Sequence, residues 1–237
     1  MPVTIQCPDD TNPEAIEIVF DFLKAVDAKY SPYMNTSDVA KINRGELDDQ
    51  DYDDELRTIL NIAEQTKRET NGFFDVWHND VFDPSGIVKG WAIARAAQKM
   101  HDYTEDFYLE IAGDIQVSGA SASGEDWKIG IRNPFDRTQN ISVVTLHNKG
   151  IATSGTAIRG QHIYNPKSQT AIDDSLASLS VIATDILDAD RIATAAFAMG
   201  TAGIQYIEQL KGYEGYAVTK DRTVTMTSNW QKYEVAA

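Results

Sequence analysis

The chain has a single cysteine, Cys7, and its 21 basic residues are outnumbered by 36 acidic ones. One cysteine excludes an internal disulfide and any multi-cysteine metal site, which fits a reducing compartment. The net charge of −15 argues against nucleic acid or an anionic membrane as the main partner. No apolar run approaches the length of a membrane span, and residues 1–20 lack the basic start and apolar core of a signal peptide. We therefore expect a cytoplasmic globular protein with no nucleic-acid partner and no membrane partner.

The hydrophobic pattern predicts helices in the first half of the chain and mainly strands in the second. Helical spacing of apolar residues marks four segments in the first half: 13 to about 30, a short stretch ending near 43–45, a helix that starts within the acidic run 46–55 and ends near 69, and about 88–100. A first short strand is predicted at 3–5. The candidate strands of the second half, bounded by Gly, Asn, Pro and Asp clusters, are 107–111, 127–132, 141–147, 150–153, 178–183, 216–219 and 224–227. Two helices, 188–199 and 201–210, interrupt them. This order predicts one α+β domain over residues 1–237, in which helices flank a mainly antiparallel sheet.

The stretch from Ala189 to Gly200 is predicted to be a helix with an apolar face, and Gly200 is a suitable residue to end it. Asp190 and Thr194 are four residues apart, so their side chains lie on the same side of that helix. A carboxylate and a hydroxyl held in this way offer two hard oxygens, which suit Mg²⁺. The alternative is an ordinary helix start, where the macrodipole favours acidic residues.

Two further segments carry groups suited to an anion or a cation. The sequence DPSGIVKG places Asp83, a flexible turn and Lys89 at the start of a helix. Backbone N–H groups at such a start bind anions, and Lys89 adds a positive charge for a phosphate. The alternative is a capped helix with an exposed lysine. Residues 112–114 follow an apolar strand, where a main-chain carbonyl is available to a hard cation; the alternative is a plain hairpin turn.

The segment that follows strand 150–153 is rich in hydroxyl groups and contains a histidine. Thr153 and Ser154, together with main-chain amides, suit a pyrophosphate, and Arg159 can pair with it through two hydrogen bonds. Of the four histidines, His162 is the best placed to act as a general base near such a group. The alternative is an ordinary loop histidine.

Taken together, these segments occur in an order that is similar to one known family. The matching residues are 31–43, 83–90, 112–115, 153–155, 162–166 and 189–200. Over roughly residues 15–230 the chain resembles the ApbE family of flavin transferases (FAD:protein FMN transferases). The resemblance implies a T-fold-like ApbE architecture, FAD as substrate and Mg²⁺ as cofactor. It also implies an acceptor protein, to whose threonine hydroxyl FMN is transferred while AMP is released.

The resemblance also implies a role for each candidate residue. Mg²⁺ would be held by Asp190, Thr194 and the main-chain carbonyl of Ala112. His162 would lie beside the reacting phosphate as the base. The remaining positions would bind FAD: Lys89, Thr153, Ser154 and Arg159 along the flavin and pyrophosphate path, Asp83 near the ring system, and Tyr33 and Asn43 near the adenosine.

The chain departs from the family pattern at several positions. Only seven residues separate Asp75 from Asp83, where the family usually has a longer insert that helps to form the flavin end of the pocket. Asn165 and Ala112 stand where aspartate and glycine are frequent. Cys7 lacks an upstream apolar segment in this sequence, so we do not expect it to be a lipoprotein anchor. Two alternatives therefore stay open beside the transferase: an FAD pyrophosphatase that uses water as acceptor, and a non-catalytic FAD-binding protein.

Overall fold

The computed structural model describes residues 1–155 and 175–235. The strands are β1 (Val3–Gln6), β2 (Trp77–His78), β3 (Val81–Phe82), β4 (Phe107–Ile111), β5 (Asp114–Ser118), β6 (Trp127–Asn133), β7 (Asp136–Leu146), β8 (Lys149–Gly155), β9 (Leu176–Ala183), β10 (Glu214–Thr219) and β11 (Val224–Met226). The α-helices are α1 (Glu14–Tyr30), α2 (Asp38–Asn43), α3 (Asp54–Glu69), α4 (Ser85–His101), α5 (Ile186–Ala198) and α6 (Gly203–Glu208). Within these ranges, no helix combines the length and the apolar character that crossing a membrane requires.

One large antiparallel sheet organises the fold. Its spatial order is β1-β4-β5-β8-β9-β10-β11, and every neighbouring pair is antiparallel. Two hairpins, β2–β3 and β6–β7, form separate two-stranded sheets. With helices packed against the large sheet, the α+β class predicted from the sequence is confirmed.

The sheet is covered on both faces, and β9 shows this most clearly. All eight residues of β9 are buried, as expected for a central strand whose two faces both meet other layers. On one face, Leu179 and Val181 share an apolar core with residues of α1, α4 and α5. On the other face, Ile182 packs in a second core with Trp127 and Ile129 of the β6–β7 hairpin.

Helix α5 lies directly on the sheet, and a glycine makes this approach possible. A Cβ atom added to Gly150 of β8 would lie 2.2 Å from the backbone nitrogen of Ile186, the first residue of α5. The same nitrogen donates to the Gln116 side-chain oxygen at 2.9 Å, and Asp185 accepts a capping bond from the Asp188 N–H at 2.9 Å. The start of α5 is therefore fixed by β5, by β8 and by its own cap.

The sequence pattern missed one strand of the central sheet and misplaced several element ends. Strand β5 reads DIQVS, and its polar residues Asp114, Gln116 and Ser118 are buried rather than exposed. Because they are hydrogen-bonded inside the protein, the alternation that marks a half-exposed strand is absent. Helix α4 begins three residues earlier than residue 88, and β7 begins at residue 136 rather than 141.

Candidate active site

A cavity of about 350 Å³ lies where α4 and α5 meet the sheet and the β6–β7 hairpin. Seven residues singled out in the sequence line it: Asp83, Lys89, Ala112, Thr153, Ser154, Asp190 and Thr194. They come from four separate parts of the chain, and the fold brings them to one place. The cavity is therefore the candidate active site.

Asp190 lies in the first half of α5 and is only 2% exposed. Its Oδ2 atom accepts a hydrogen bond from the Gly90 backbone N–H at 2.9 Å. Its Oδ1 atom lies 3.2 Å from the Lys89 Nζ. Both carboxylate oxygens are thus in contact with α4, and Asp190 holds the two helices together at the cavity wall.

Lys89 connects Asp190 to a second buried carboxylate. Its ammonium forms an ion pair with Asp114 Oδ2, and Asp114 is only 1% exposed. The other Asp114 oxygen accepts a hydrogen bond from the Thr153 backbone N–H at 3.1 Å. One lysine therefore links α5 to β5, and through Asp114 to the strand that carries Thr153 and Ser154.

Burial is the largest influence on the pKa of Asp190 in the cluster of Lys89, Asp114 and Asp190. Burial raises the pKa of Asp190 to about 7; the Lys89 ammonium lowers it, and the nearby Asp114 carboxylate raises it. Because two carboxylates share a single ammonium in a water-poor environment, an additional positive charge would stabilise the ionised form of Asp190.

Other residues with oxygen groups line the same cavity as Asp190. Thr194 follows Asp190 by one helical turn and lines the cavity. Ala112, with φ +54°, and Gly113, with φ +96°, form the two-residue turn between β4 and β5. Thr153 Oγ1 lies 2.8 Å from the Ser180 hydroxyl oxygen. Residues 1–155 and 175–235 contain no group of three or more His, Cys, Asp or Glu side chains that could hold a metal ion.

Asp83 lines the cavity at the start of α4. Its Oδ1 atom accepts a hydrogen bond from the Ser85 backbone N–H at 2.9 Å. The carboxylate therefore satisfies one of the free N–H groups at the helix start while its side chain stays exposed.

Two predicted residues lie outside the cavity lining, and two lie outside the described residues. Tyr33 is 91% exposed. The Asn43 side chain donates to the Phe82 carbonyl at 2.9 Å and accepts from the Phe82 N–H at 2.7 Å, so it ties α2 to β3. The structure therefore brings neither to the cavity. Arg159 and His162 lie in the segment 156–174, which the structure does not describe.

The model of the ApbE family matches residues 1–83 and 78–217. The chain belongs to the ApbE family. A relative from Haemophilus influenzae named FAD:protein FMN transferase is 30% identical over 129 residues, which cover 50% of this chain and 37% of the relative. A relative of the same name from Klebsiella pneumoniae is 29% identical over 161 residues, which cover 62% of this chain and 48% of the relative. The chain thus spans less than half the length of these relatives.

Solved structures of ApbE proteins share the fold over nearly the whole chain. The ApbE protein from Thermotoga maritima superposes with a TM-score of 0.84 at 20% identity, covering 98% of this chain and 94% of that one. The flavin transferase ApbE from Vibrio cholerae superposes with a TM-score of 0.83 at 18% identity, covering 98% of this chain and 95% of that one. At this level of identity, the similarity establishes the fold.

The short connection before Asp83 forms a compact hairpin in this member of the ApbE family. Strands β2 and β3 are joined by Asn79 and Asp80, with φ of +47° and +62°, which is the backbone of a tight two-residue turn. The rings of Trp77 and Phe82 pack across the hairpin with centroids 5.1 Å apart. Seven residues are therefore sufficient to connect Asp75 to Asp83 in an ordered way.

One wall of the ApbE cavity was not predicted from the sequence. It is formed by the β6–β7 hairpin and carries Lys128, Gly130, Arg132, Arg137 and Asn140. Strand β6 alternates buried and exposed residues, so Lys128, Gly130 and Arg132 share its exposed face. That alternation is visible in WKIGIRN, and it could have identified two cations on one face of a strand.

Aromatic residues near the cavity were also missed. Phe73, Phe74 and Tyr108 line it, and Tyr108 donates a hydrogen bond from its hydroxyl to Glu110 at 2.8 Å. Burial and the adjacent Glu110 raise the pKa of Tyr108, which keeps the phenol neutral. Flat apolar faces of this kind suit a planar ring system.

Proposed function

We propose that this chain is an FAD:protein FMN transferase that cleaves the FAD diphosphate and transfers FMN to a threonine hydroxyl of an acceptor protein, with release of AMP. The observation that carries the proposal is the convergence of Asp190, Thr194 and Lys89 in one cavity with Thr153 and Ser154. Membership of the ApbE family and the names of the relatives support it.

The donor set fits a hard divalent cation. Asp190, Thr194 and the Ala112 carbonyl are all oxygen donors, the type that Mg²⁺ prefers. The Asp190 and Asp114 carboxylates are both buried and share one ammonium, so the site carries surplus negative charge. These three residues would hold Mg²⁺, which when bound would neutralise charge on the diphosphate.

The side chains of the cavity suit a planar ring system and a diphosphate, both of which FAD contains. Phe73, Phe74 and Tyr108 offer flat surfaces to a ring system. Lys89, Thr153 and Ser154 belong to the same lining and would bind the diphosphate through charge and hydroxyl groups. The cationic Lys128 and Arg132 on the β6–β7 hairpin would bind anionic groups.

The transfer exchanges one P–O bond for another. The threonine oxygen of the acceptor forms a bond to the FMN phosphorus, and the bond from that phosphorus to the AMP oxygen breaks. A threonine hydroxyl has too high a pKa to attack unaided, so its proton must pass to a base. We assign this role to His162, with Arg159 pairing with the phosphate charge that leaves on AMP.

The experiment mixes the protein with FAD, Mg²⁺ and a peptide that contains a threonine acceptor. Mass spectrometry measures covalent FMN on the peptide, and chromatography measures FMN and AMP. We expect FMN on the peptide with an equal amount of AMP. Free FMN plus AMP without peptide labelling would show hydrolysis instead, and unchanged bound FAD would show a binding protein.

A further inference from the structure

Lys89 is placed between two buried carboxylates rather than directed only toward a ligand. Its Nζ forms an ion pair with Asp114 and lies 3.2 Å from Asp190 Oδ1. Lys89 and Asp190 line the cavity, whereas Asp114 is buried and is not one of the lining residues. The ammonium therefore lies at the border between the cavity and the protein interior.

The charges of this group define what Lys89 contributes. Two carboxylates and one ammonium leave a net charge of one negative unit when all are ionised. Asp190 Oδ2 accepts from the Gly90 N–H, and Asp190 Oδ1 lies 3.2 Å from the ammonium. A cation that binds Asp190 through Oδ1 would lie next to Lys89, and two cations at that distance repel each other strongly in a buried site.

We propose that the Lys89 ammonium is the resident cation of Asp190, that a divalent cation displaces it from Oδ1, and that Asp114 retains the displaced ammonium. The inference rests on the cation site of the proposed function and adds a role for Asp114, which is a positioning residue. Lys89 and the metal ion then compete for one oxygen. Retention by Asp114 keeps the ammonium close to the cavity, where it can contact the diphosphate.

The competition predicts opposite effects of two substitutions on metal binding. Lys89→Gln removes the competing charge, so the affinity for a divalent cation rises at least tenfold. Asp114→Asn removes the second partner of Lys89 while keeping an oxygen for the Thr153 N–H. Lys89 then loses the Asp114 carboxylate that would retain it after displacement and stays on Asp190, so the affinity falls by about tenfold or more.

The affinity is measured with Mn²⁺ alone, by electron paramagnetic resonance on the full chain without flavin. Lys99→Gln is the matched control because it removes the same charge from the same helix, at a residue whose ammonium lies over the Phe22 ring. We expect the control to bind Mn²⁺ as the wild type does. Because no flavin is present, the result is independent of whether the chain transfers FMN.

Equal or weaker Mn²⁺ binding by Lys89→Gln would overturn the proposal, and so would an absence of binding to both this variant and the wild type. Tighter binding by Asp114→Asn would overturn it too. Thermal unfolding with and without Mn²⁺ gives a second readout: the rise in melting temperature should be larger for Lys89→Gln than for the wild type. If Lys89→Gln fails to fold, the Mn²⁺ affinity of Asp114→Asn tests the proposal: an affinity below that of the wild type supports it, and an equal or higher affinity overturns it.

Discussion

The backbone of Gly90 contacts the side chain of Asp190 where α4 crosses α5. The Gly90 N–H donates to Asp190 Oδ2 at 2.9 Å. A Cβ atom at position 90 would lie 2.9 Å from the Asp190 Cβ and 3.0 Å from its Oδ2. The absence of a side chain on α4 therefore allows the carboxylate of α5 to reach the cavity wall beside Lys89.

Substituting Gly90 with Ala should disturb both stability and the cation site. The added methyl group must displace the Asp190 side chain or separate the helices, which costs about 1–3 kcal/mol for overpacking of this kind. Chemical denaturation measures the loss. The matched control is Gln98→Ala on the exposed face of α4, which should change the unfolding free energy by less than about 0.5 kcal/mol. A Gly90→Ala variant as stable as this control would contradict the contact.

Substituting Arg132 with Gln tests the cationic wall of the cavity. Arg132 lies on the exposed face of β6 and lines the cavity. A hydrogen bond to a charged group contributes about 1.5–3 kcal/mol, so its loss should raise the KM for FAD about tenfold or more. Steady-state kinetics of AMP release measure it. Lys211→Gln, an exposed residue outside the cavity lining, should leave KM unchanged; an equal KM in both variants would exclude Arg132 from FAD binding.

The ion pair between Glu69 and Arg191 predicts a pH dependence of stability. Burial alone would raise the pKa of Glu69, but hydrogen bonds from Gln65 and Arg191 outweigh it and hold the pKa below the usual 4.5. A carboxyl with a lowered pKa in the folded state stabilises the protein at pH values above its unfolded-state pKa. That stabilisation is lost as the pH falls through the folded-state pKa.

Glu69→Gln should therefore be less stable than the wild type at pH 7, and the difference should shrink below pH 4.5. Because the Glu69 side chain is 40% exposed, solvent screening keeps the effect small. Urea denaturation of both proteins across this range measures it. A difference that is constant with pH would show that the carboxylate charge is not responsible.

His162 is predicted to act as the base for the acceptor hydroxyl. His162→Ala should lower the rate of transfer by about 10²–10⁴-fold, as is typical when a general base is removed. The control is His101→Ala, since His101 lies at the end of α4 and contacts the ring of Phe107. A loss below tenfold for His162→Ala would assign His162 a structural role.

Local patterns in the sequence predicted the elements that depend on local spacing. Helix α1 begins at Glu14, one residue after the predicted start at Pro13, and ends at Tyr30 as predicted. Helix α5 carries Asp190 and Thr194 one turn apart as expected. Gly200, with φ +65°, follows this helix and ends it. These features follow from side-chain spacing within one segment, so the sequence contains them.

Contacts between distant segments could not be predicted in the same way. Lys89 was interpreted as a phosphate-binding lysine, but its pairing with Asp114 and Asp190 requires α4, β5 and α5 to meet. Strand β5 was missed because its buried polar residues hide the hydrophobic alternation. Asn43 was assigned to the adenosine end, and its hydrogen bonds with Phe82 depend on a hairpin that the pattern did not mark.

The most direct test of the account is divalent-dependent cleavage of FAD by Asp190→Asn, followed as AMP release with and without Mg²⁺. Asparagine keeps the shape of the side chain and an oxygen for the Gly90 N–H but loses the charge that would hold the cation. The control is Asp188→Asn on the same helix, since Asp188 pairs with Arg191 at 2.7 Å instead. We predict no Mg²⁺-dependent cleavage by Asp190→Asn and cleavage within about threefold of wild type by the control. Undiminished Mg²⁺-dependent cleavage by Asp190→Asn would contradict the account.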